Sequence, residues 1–282
     1  MKIGGFEAVL LSDGTFRLDG GAMFGTVPQT LWCRHDKPDE KNRIALALGC
    51  LLIKTPKGRR ILVDTGLSSK YDDNPKFKSI YSVDRPVTLR GELKKIGLAP
   101  SDIQLVINTH LHFDHAGGDT EFNDTGMPVP AFPKARYLIQ KEEWDDANHP
   151  HERNQASYMA ENFAPLQEAR QLDLVEGEYE IEPGLKVIQS GGHTQGHQCV
   201  LIESQGETAL FLGDLVPTAS HIPLPYIMGY DLYPVDTLES KRALYAKAAE
   251  GDWTLLFQHD VRQRAAKIEK VDGRYAAKVE KA

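Results

Sequence analysis

Cysteine is scarce: three residues in 282, Cys33, Cys50 and Cys199, with no paired spacing. An odd and sparse count fits a reducing compartment, so a cytoplasmic location is expected. Cys50 and Cys199 stand among apolar residues and read as buried thiols. Long apolar runs are missing too. The longest, Ile44–Ile53 with Gly49 inside it and Trp253–Phe257, fall far short of the ~20 residues a membrane helix needs. There is no excess of positive charge: 33 basic residues face 40 acidic ones, a net −7. An acidic surface repels phosphate backbones, which argues against nucleic acid as a partner, and Arg59-Arg60 and Lys134–Arg136 are too short to make a basic patch. The opening MKIGGFEAVLLSDG lacks the apolar stretch of a signal peptide, carries Glu7, and reads as a first strand. No low-complexity segment or Pro/Ser linker interrupts the chain. With 41% apolar and 26% charged residues, a disordered chain, a collagen and a coiled coil are excluded. The length suits about two units or one large domain.

What the chain does contain is an alternation of short β-rich runs and helical patterns. Leu51–Lys54 and Arg60–Asp64 flank Thr55-Pro56-Lys57-Gly58-Arg59, a hairpin with turn chemistry at its centre. Cys199–Glu203 and Thr208–Gly213 form a second hairpin. Leu105–Asn108, Ala135–Gln140, Leu185–Gln189 and Trp253–Phe257 read as further strands. Thr88–Ile96 predicts a helix with Leu89, Leu93 and Ile96 on one face and Gly97 as its stop. A helix is expected over Thr237–Glu250, capped by Asp236, with Leu238, Leu244, Tyr245 and Ala248 inward, and another over Lys141–Asn148. The two halves echo each other. Each has a hairpin leading to an acidic residue, Asp64 or Asp214, then a helix, then a strand ending near His110 or His259. Two such β/α halves packed face to face would give an αββα sandwich with histidines at one rim. The expected organisation is one domain, 1–282, built of two similar halves, about 1–180 and 181–282.

The chemistry concentrates in Thr109-His110-Leu111-His112-Phe113-Asp114-His115-Ala116-Gly117-Gly118. Alternate positions of an extended segment share a face, so His110 and His112 can grip one ion. Asp114 and His115 follow where the chain turns toward a helix and can face a second. Imidazole with carboxylate suits Zn²⁺ first, and also Fe, Mn or Co. Gly117 and Gly118 let backbone pass close behind the site.

These residues resemble the metallo-β-lactamase superfamily, and the resemblance runs along nearly the whole chain. Val63-Asp64-Thr65-Gly66, the His110/His112/Asp114/His115 segment, Gly192-His193-Thr194-Gln195-Gly196-His197, Gly213-Asp214, and His259 within Phe257-Gln258-His259-Asp260 are similar to its five motifs, in order. The resemblance implies that family's fold, two mixed β-sheets packed face to face with helices outside, and two divalent metal ions per chain. His110, His112 and His193 would hold the first ion and Asp114, His115 and His259 the second, with Asp214 bridging. Metal-bound imidazoles need acceptors for their second N–H. Asp64 is a candidate for that role, its alternative being a turn-forming Asp before Gly66. His197 fits a structural histidine in this motif, His35, His149 and His151 belong on the surface, and His221 is a candidate to line the pocket.

Within the superfamily the chain looks most like the quorum-quenching N-acyl-homoserine lactonases, in its second and third motifs, in Leu18–Gly25, in Asp214–Thr218 and in Tyr230–Pro234. That implies a small-molecule lactone or ester substrate and, in many such enzymes, a homodimer. The implied reaction opens a lactone ring by attack of a metal-bridging hydroxide, with Asp114 relaying a proton to the leaving ring oxygen. Asp114 and Asp214 are the expected catalytic residues. Pro217 stands where some lactonases carry an oxyanion-assisting tyrosine, leaving Tyr226, Tyr230 or His221 as substitutes. Met23, Phe24, Trp32, Ile222 and Tyr226 are candidates for an acyl-chain wall, or simply anchor loops in the core. The rival is an organophosphate hydrolase of methyl-parathion type, or another ester or thioester hydrolase on the same site.

Overall fold

The computed structural model describes residues 1–278; positions 279–282, the end of the expected second half, lie outside them. In chain order the strands are β1 (Lys2–Ile3), β2 (Phe6–Asp19), β3 (Arg43–Lys54), β4 (Arg60–Val63), β5 (Leu105–Ile107), β6 (Thr120–Phe122), β7 (Pro128–Pro130), β8 (Arg136–Gln140), β9 (Leu172–Val175), β10 (Tyr179–Glu182), β11 (Leu185–Gln189), β12 (Gln198–Ser204), β13 (Glu207–Phe211), β14 (Thr254–Leu256), β15 (Ala265–Ala266), β16 (Ile268–Val271) and β17 (Arg274–Ala277). One sheet runs β1-β2-β3-β4-β5-β8-β9 and the other β10-β11-β12-β13-β14-β15. Both are mixed: β4, β5, β8 and β9 are parallel neighbours, as are β13 and β14, and the other pairings are antiparallel.

Side-chain alternation assigns the layers. Leu51 and Ile53 of β3 join Val63, Ile107, Val200, Ile202 and Phe211 in a core between the sheets. The intervening Cys50 and Leu52 face the other way, onto Leu89 and Leu93 of the helix Leu89–Lys95, Trp144, Phe163 and Leu166. On the second sheet Cys199 and Leu201 likewise face outward, onto Leu244, Tyr245 and Ala248 of the helix Pro234–Glu250. The result is the αββα sandwich expected from the echo and from the family resemblance. Among the described residues no helix is long and apolar enough to cross a membrane.

The expected strands and helices are present with shifted ends. β3 begins at Arg43, well before Leu51, because it pairs along β2 from Asp19↔Arg43 to Glu7↔Lys54. Asp236 is not the cap of its helix: the helix starts at Pro234, with Tyr233 in the cap position. Proline is suited to a first helical turn, where no N–H is needed. Leu238 on that helix is only half-buried, whereas Lys241 is fully buried. The helix Ala160–Glu168, which carries Pro165, was not anticipated.

The topology gathers the motifs. β4 ends just before Asp64, β5 just before His110, β13 just before Asp214 and β14 just before His259. Parallel neighbours put the carboxyl ends of their strands on one rim, where α/β folds form their sites.

Candidate metal centre

Every sequence-predicted ligand reaches this rim. His110 and His112 follow β5, His112 on extended backbone, and Asp114 and His115 lie in the short helix Phe113–Ala116 that comes next. His193 comes from the loop after β11, Asp214 from the turn after β13, and His259 from the loop after β14. All seven are at least nine-tenths buried. Three groupings bring ligand atoms within 4.8 Å of one another: His110 with His112 and His193, His110 with His115 and Asp214, and Asp114 with His115 and His259. Asp214 lies between the two sides. Its Oδ2 is 3.2 Å from His193 Nε2, and its Oδ1 is 3.0 Å from His259 Nε2 and 3.4 Å from His115 Nε2. Asp114 Oδ2 stands 3.6 Å from His115 Nε2 and 3.7 Å from His259 Nε2.

The hydrogen bonds behind the rings fix where their protons sit. His115 Nδ1 donates to Asp64 Oδ2 at 3.0 Å, and His193 Nδ1 donates to Asp231 Oδ1 at 2.9 Å. His259 Nδ1 donates to the Ala47 carbonyl at 2.7 Å. Thr109 Oγ1 spends its own proton on Asp64 Oδ2, so it accepts from His110 Nδ1 at 3.1 Å. These acceptors give nothing back, so in each neutral ring the Nε2 lone pair points inward. His115 Nε2 and His259 Nε2 then face each other at 3.1 Å, and His193 Nε2 lies 3.1 Å from His112 Nδ1, with His112 Nε2 buried and unpartnered among the described residues. His110 Nε2 and Asp214 Oδ1 are buried with no hydrogen-bond partner among the described residues. Lone pairs held this close repel unless positive charge lies between them, and the donor set is that of a divalent transition-metal site. The residues present therefore fit divalent metal.

The electrostatics point the same way. Burial and the neighbouring imidazoles push His110 and His112 well below the usual histidine range. Burial opposes charge on His115 and His193 too, yet Asp214, with Asp114 beside His115 and Asp231 beside His193, outweighs it and raises both. Burial would raise Asp214, but the surrounding His115, His259 and His193 hold it well below the carboxylate range.

Asp64 is thus the acceptor behind His115, as expected, and it also receives the Thr109 N–H at 2.7 Å. Its φ of 55° belongs to the left-handed region, so the aspartate turns the chain and holds the imidazole at once. His197 stays out of the cluster. Its Nδ1 lies 2.6 Å from Ser190 Oγ and its Nε2 accepts the Asp214 N–H at 3.0 Å, while burial lowers it to about 3. Gly213 permits that contact: its φ is 51°, and an added Cβ would stand 2.7 Å from His197 Nε2. At Gly118 an added Cβ would collide with the Thr65 carbonyl, the close backbone approach expected there. His35, His149 and His151 are exposed, and Cys50 and Cys199 are fully buried.

Three residues that hold the centre were not anticipated. Asp231 fixes His193 and is fixed in turn by Thr237 Oγ1 at 2.8 Å. Glu143, fully buried, accepts the Leu111 N–H at 2.8 Å and the Tyr158 hydroxyl at 3.0 Å through Oε1, and the Thr194 hydroxyl through Oε2. It ties the segment between His110 and His112 to the residue after His193. Burial raises its carboxyl despite those three donors. Tyr158 packs its ring edge-on against His112, 4.9 Å between centroids.

Above the cluster lies a cavity of about 260 Å³, bordered by His112, Asp114, His193, Asp214 and His259 and walled by Leu18, Met23, Leu46, Phe113, Met228 and Leu232. Of the expected acyl-chain wall only Met23 borders it. Phe24 and Trp32 stack on each other at 5.3 Å, and Ile222 is buried in a separate apolar cluster with Cys199, Leu215 and Leu244, so these large side chains anchor loops in the core. Tyr226 borders a different groove. His221 does not line the cavity either. It stacks on Phe24 at 4.4 Å, its Nε2 donates to the Met23 carbonyl at 2.9 Å, and burial lowers it to about 3. Pro217 serves through its backbone: its carbonyl accepts the His259 N–H at 2.9 Å.

The family model of the metallo-beta-lactamase superfamily matches residues 50–259. An N-acyl homoserine lactonase of Bacillus cereus is 34% identical over 176 residues, 58% of this chain and 61% of that protein. Against that relative the matched stretch spans only about three fifths of its length. An N-acyl homoserine lactonase of Bacillus thuringiensis is 31% identical over 232 residues, 77% of this chain and 83% of that one. Among solved structures, a probable metal-dependent hydrolase from Staphylococcus aureus superposes over the full length of both chains with a TM-score of 0.89 and 32% identity.

Proposed function

Because the chain belongs to the metallo-beta-lactamase superfamily, we propose that it is a metal-dependent hydrolase that opens the ring of an N-acyl-homoserine lactone. The observation that supports this reading is the placement of a cation-demanding cluster at the floor of an apolar cavity. The cluster suits a carbonyl to be hydrolysed, and the wall of Leu18, Met23, Leu46 and Met228 suits an acyl chain. The names of the relatives point to the same substrate class.

In this reading His110, His112 and His193 would hold one divalent ion and Asp114, His115 and His259 a second, and Asp214, whose Oδ2 lies toward His193 and Oδ1 toward His259, would serve both. Such a pair supplies water ionised near neutral pH and Lewis acidity for a carbonyl oxygen. The other parts belong to the chain itself. Asp114 borders the cavity and can carry a proton on its carboxylate to the departing ring oxygen. Tyr230 is the one of the three substitute candidates that borders the cavity, and its phenolic O–H can donate to a developing oxyanion. The two sheets, built from residues 2–175 and 179–266, support reading the chain as one domain of two similar halves.

The test is hydrolysis of a long-chain acyl-homoserine lactone against a paraoxon-type triester, on protein whose metal content has been counted. The expected result is two ions per chain and a lactone preference of ~10³ or more in kcat/KM, about 4 kcal/mol of transition-state binding. Turnover of the triester alone, or of neither substrate with both ions bound, would sink the lactonase reading.

A further inference from the structure

Asn154 also borders the cavity, together with Asp114 and Asp214. It is 4% exposed, and neither Oδ1 nor Nδ2 has a hydrogen-bond partner among the described residues. A buried carboxamide with both ends unpaired is uncommon and unfavourable, and it calls for an explanation in what enters the site. The backbone around it is held firmly. The Asn154 N–H donates to the His151 carbonyl at 3.1 Å, and its carbonyl accepts from the Ser157 N–H at 2.9 Å. The Ser157 carbonyl in turn receives the N–H of Phe113, next to Asp114, at 2.9 Å. On the other side, Arg153 Nη2 donates to the Gly229 carbonyl at 2.6 Å, joining this segment to the loop that carries Met228 and Tyr230. The carboxamide is therefore presented by a fixed stretch of chain at the boundary between cation cluster and apolar wall.

We propose that Asn154 recognises the secondary amide that joins the acyl chain to the lactone ring. This rests on the lactonase reading and names the residue that selects its substrate. A substrate laid with its carbonyl at the cluster and its chain along the apolar wall carries its amide between the two. A carboxamide has both a donor and an acceptor, so it can pair with the N–H or the C=O of that amide. The neighbouring Arg153 is exposed and donates from Nη2 to the Gly229 carbonyl, so among the described cavity-lining residues outside the cation cluster Asn154 is the buried side chain with unpartnered polar atoms. A site built to hydrogen-bond a polar group discriminates strongly against an analogue without it, because its own buried group is then left unpaired.

The experiment compares metal-loaded wild type with N154L and N154A. For N-decanoyl-homoserine lactone against δ-undecanolactone, which has no amide, the ratio of kcat/KM should fall by about 100-fold in the variants, mainly through KM for the amide substrate. A ratio that stays at the wild-type value, whether both rates fall or neither does, overturns the proposal. A second measurement needs no turnover: calorimetric binding of N-decanoylglycine and of tridecanoate, a chain of matched length without the amide. The variants should lose about ten-fold or more in affinity for N-decanoylglycine relative to tridecanoate. Equal changes for both probes refute the role of Asn154. Failure of wild type to open either lactone refutes the lactonase reading instead, and the binding comparison still decides the residue.

Discussion

His197 Nε2 accepts the backbone N–H of Asp214 at 3.0 Å, so a histidine outside the cluster props the carboxylate at its centre. With Nδ1 against Ser190 Oγ, the ring is held at both ends, and burial keeps it neutral. Substitution H197A leaves the Asp214 N–H unpaired in a buried place, at a cost of about 1–3 kcal/mol. The expected outcome is a lowered Tm and about ten-fold lower kcat with metal content near wild type. Elemental analysis beside calorimetry checks it. Loss of an ion from the variant would make His197 a ligand.

Asp64 and Asp231 are acceptors behind His115 and His193. An amide at either position offers a weaker acceptor, and its NH₂ clashes with the ring N–H if turned the other way. D64N and D231N should each weaken cation affinity by about 10–100-fold. Competition with a chromogenic chelator measures this directly. Unchanged affinity in D231N would show that Asp231 only anchors the helix Pro234–Glu250 through Thr237.

Raised His115 and His193 give metal uptake a definite pH dependence. Protons on these rings occupy the place a cation needs, so each must leave as the ion enters. Affinity should fall as pH drops, and uptake near pH 7 should release protons to the buffer. Titration calorimetry in buffers of different ionisation enthalpy reads the number released. Zero release at neutral pH would show that these rings are already unprotonated there.

Glu143 accepts one donor from each of two segments of the cluster, Leu111 and Thr194, and a third from Tyr158. Glutamine keeps the shape but only one acceptor oxygen, so E143Q loses at least one of the donations from the Leu111 N–H, the Tyr158 hydroxyl and the Thr194 hydroxyl. A loss of about 1–3 kcal/mol in unfolding free energy is expected. Denaturant titration of the metal-free protein isolates it from cation binding, and a variant as stable as wild type would rule out the clamp.

How much of this the sequence discloses follows from distance along the chain. His110, His112, Asp114 and His115 lie within six positions, and the end of an apolar strand leads into them, so both their chemistry and their location are local facts. Asp214 and His259 are recognisable because each follows a β-rich run. Glu143 is different. It stands in Lys141-Glu142-Glu143-Trp144-Asp145-Asp146 among other carboxylates, and only its helical phase, four residues from buried Ala147, separates it from exposed Glu142. Asp231 acts on a ring 38 positions away, which no local pattern signals. The cavity wall fails for the same reason. Phe24, Trp32 and Ile222 are large, apolar and in expected loops, but whether such a side chain faces substrate or core is decided by loops meeting in space. Asp13 interrupts the pairing of β2 with β3 between Ser12 and Thr15, and its carboxylate receives the N–H groups of Leu67, Ser68 and Leu89, a use that lies beyond any strand pattern.

The rim that gathers the ligands is also a seam. His110, His112, Asp114 and His115 descend from one sheet, and His193, Asp214 and His259 from the other. An ion gripped by both sides is a rivet across the sandwich, and its binding free energy is shared with the docking of the two layers. A chelator would then be a mechanical agent as much as an inhibitor: withdrawing the rivet would leave the layers joined by the apolar filling around Leu51, Ile107, Val200 and Phe211 and by hydrogen bonds such as that from Gln198 Nε2 to the Asn108 carbonyl. Cation affinity and structural cohesion at this edge would then be thermodynamically linked.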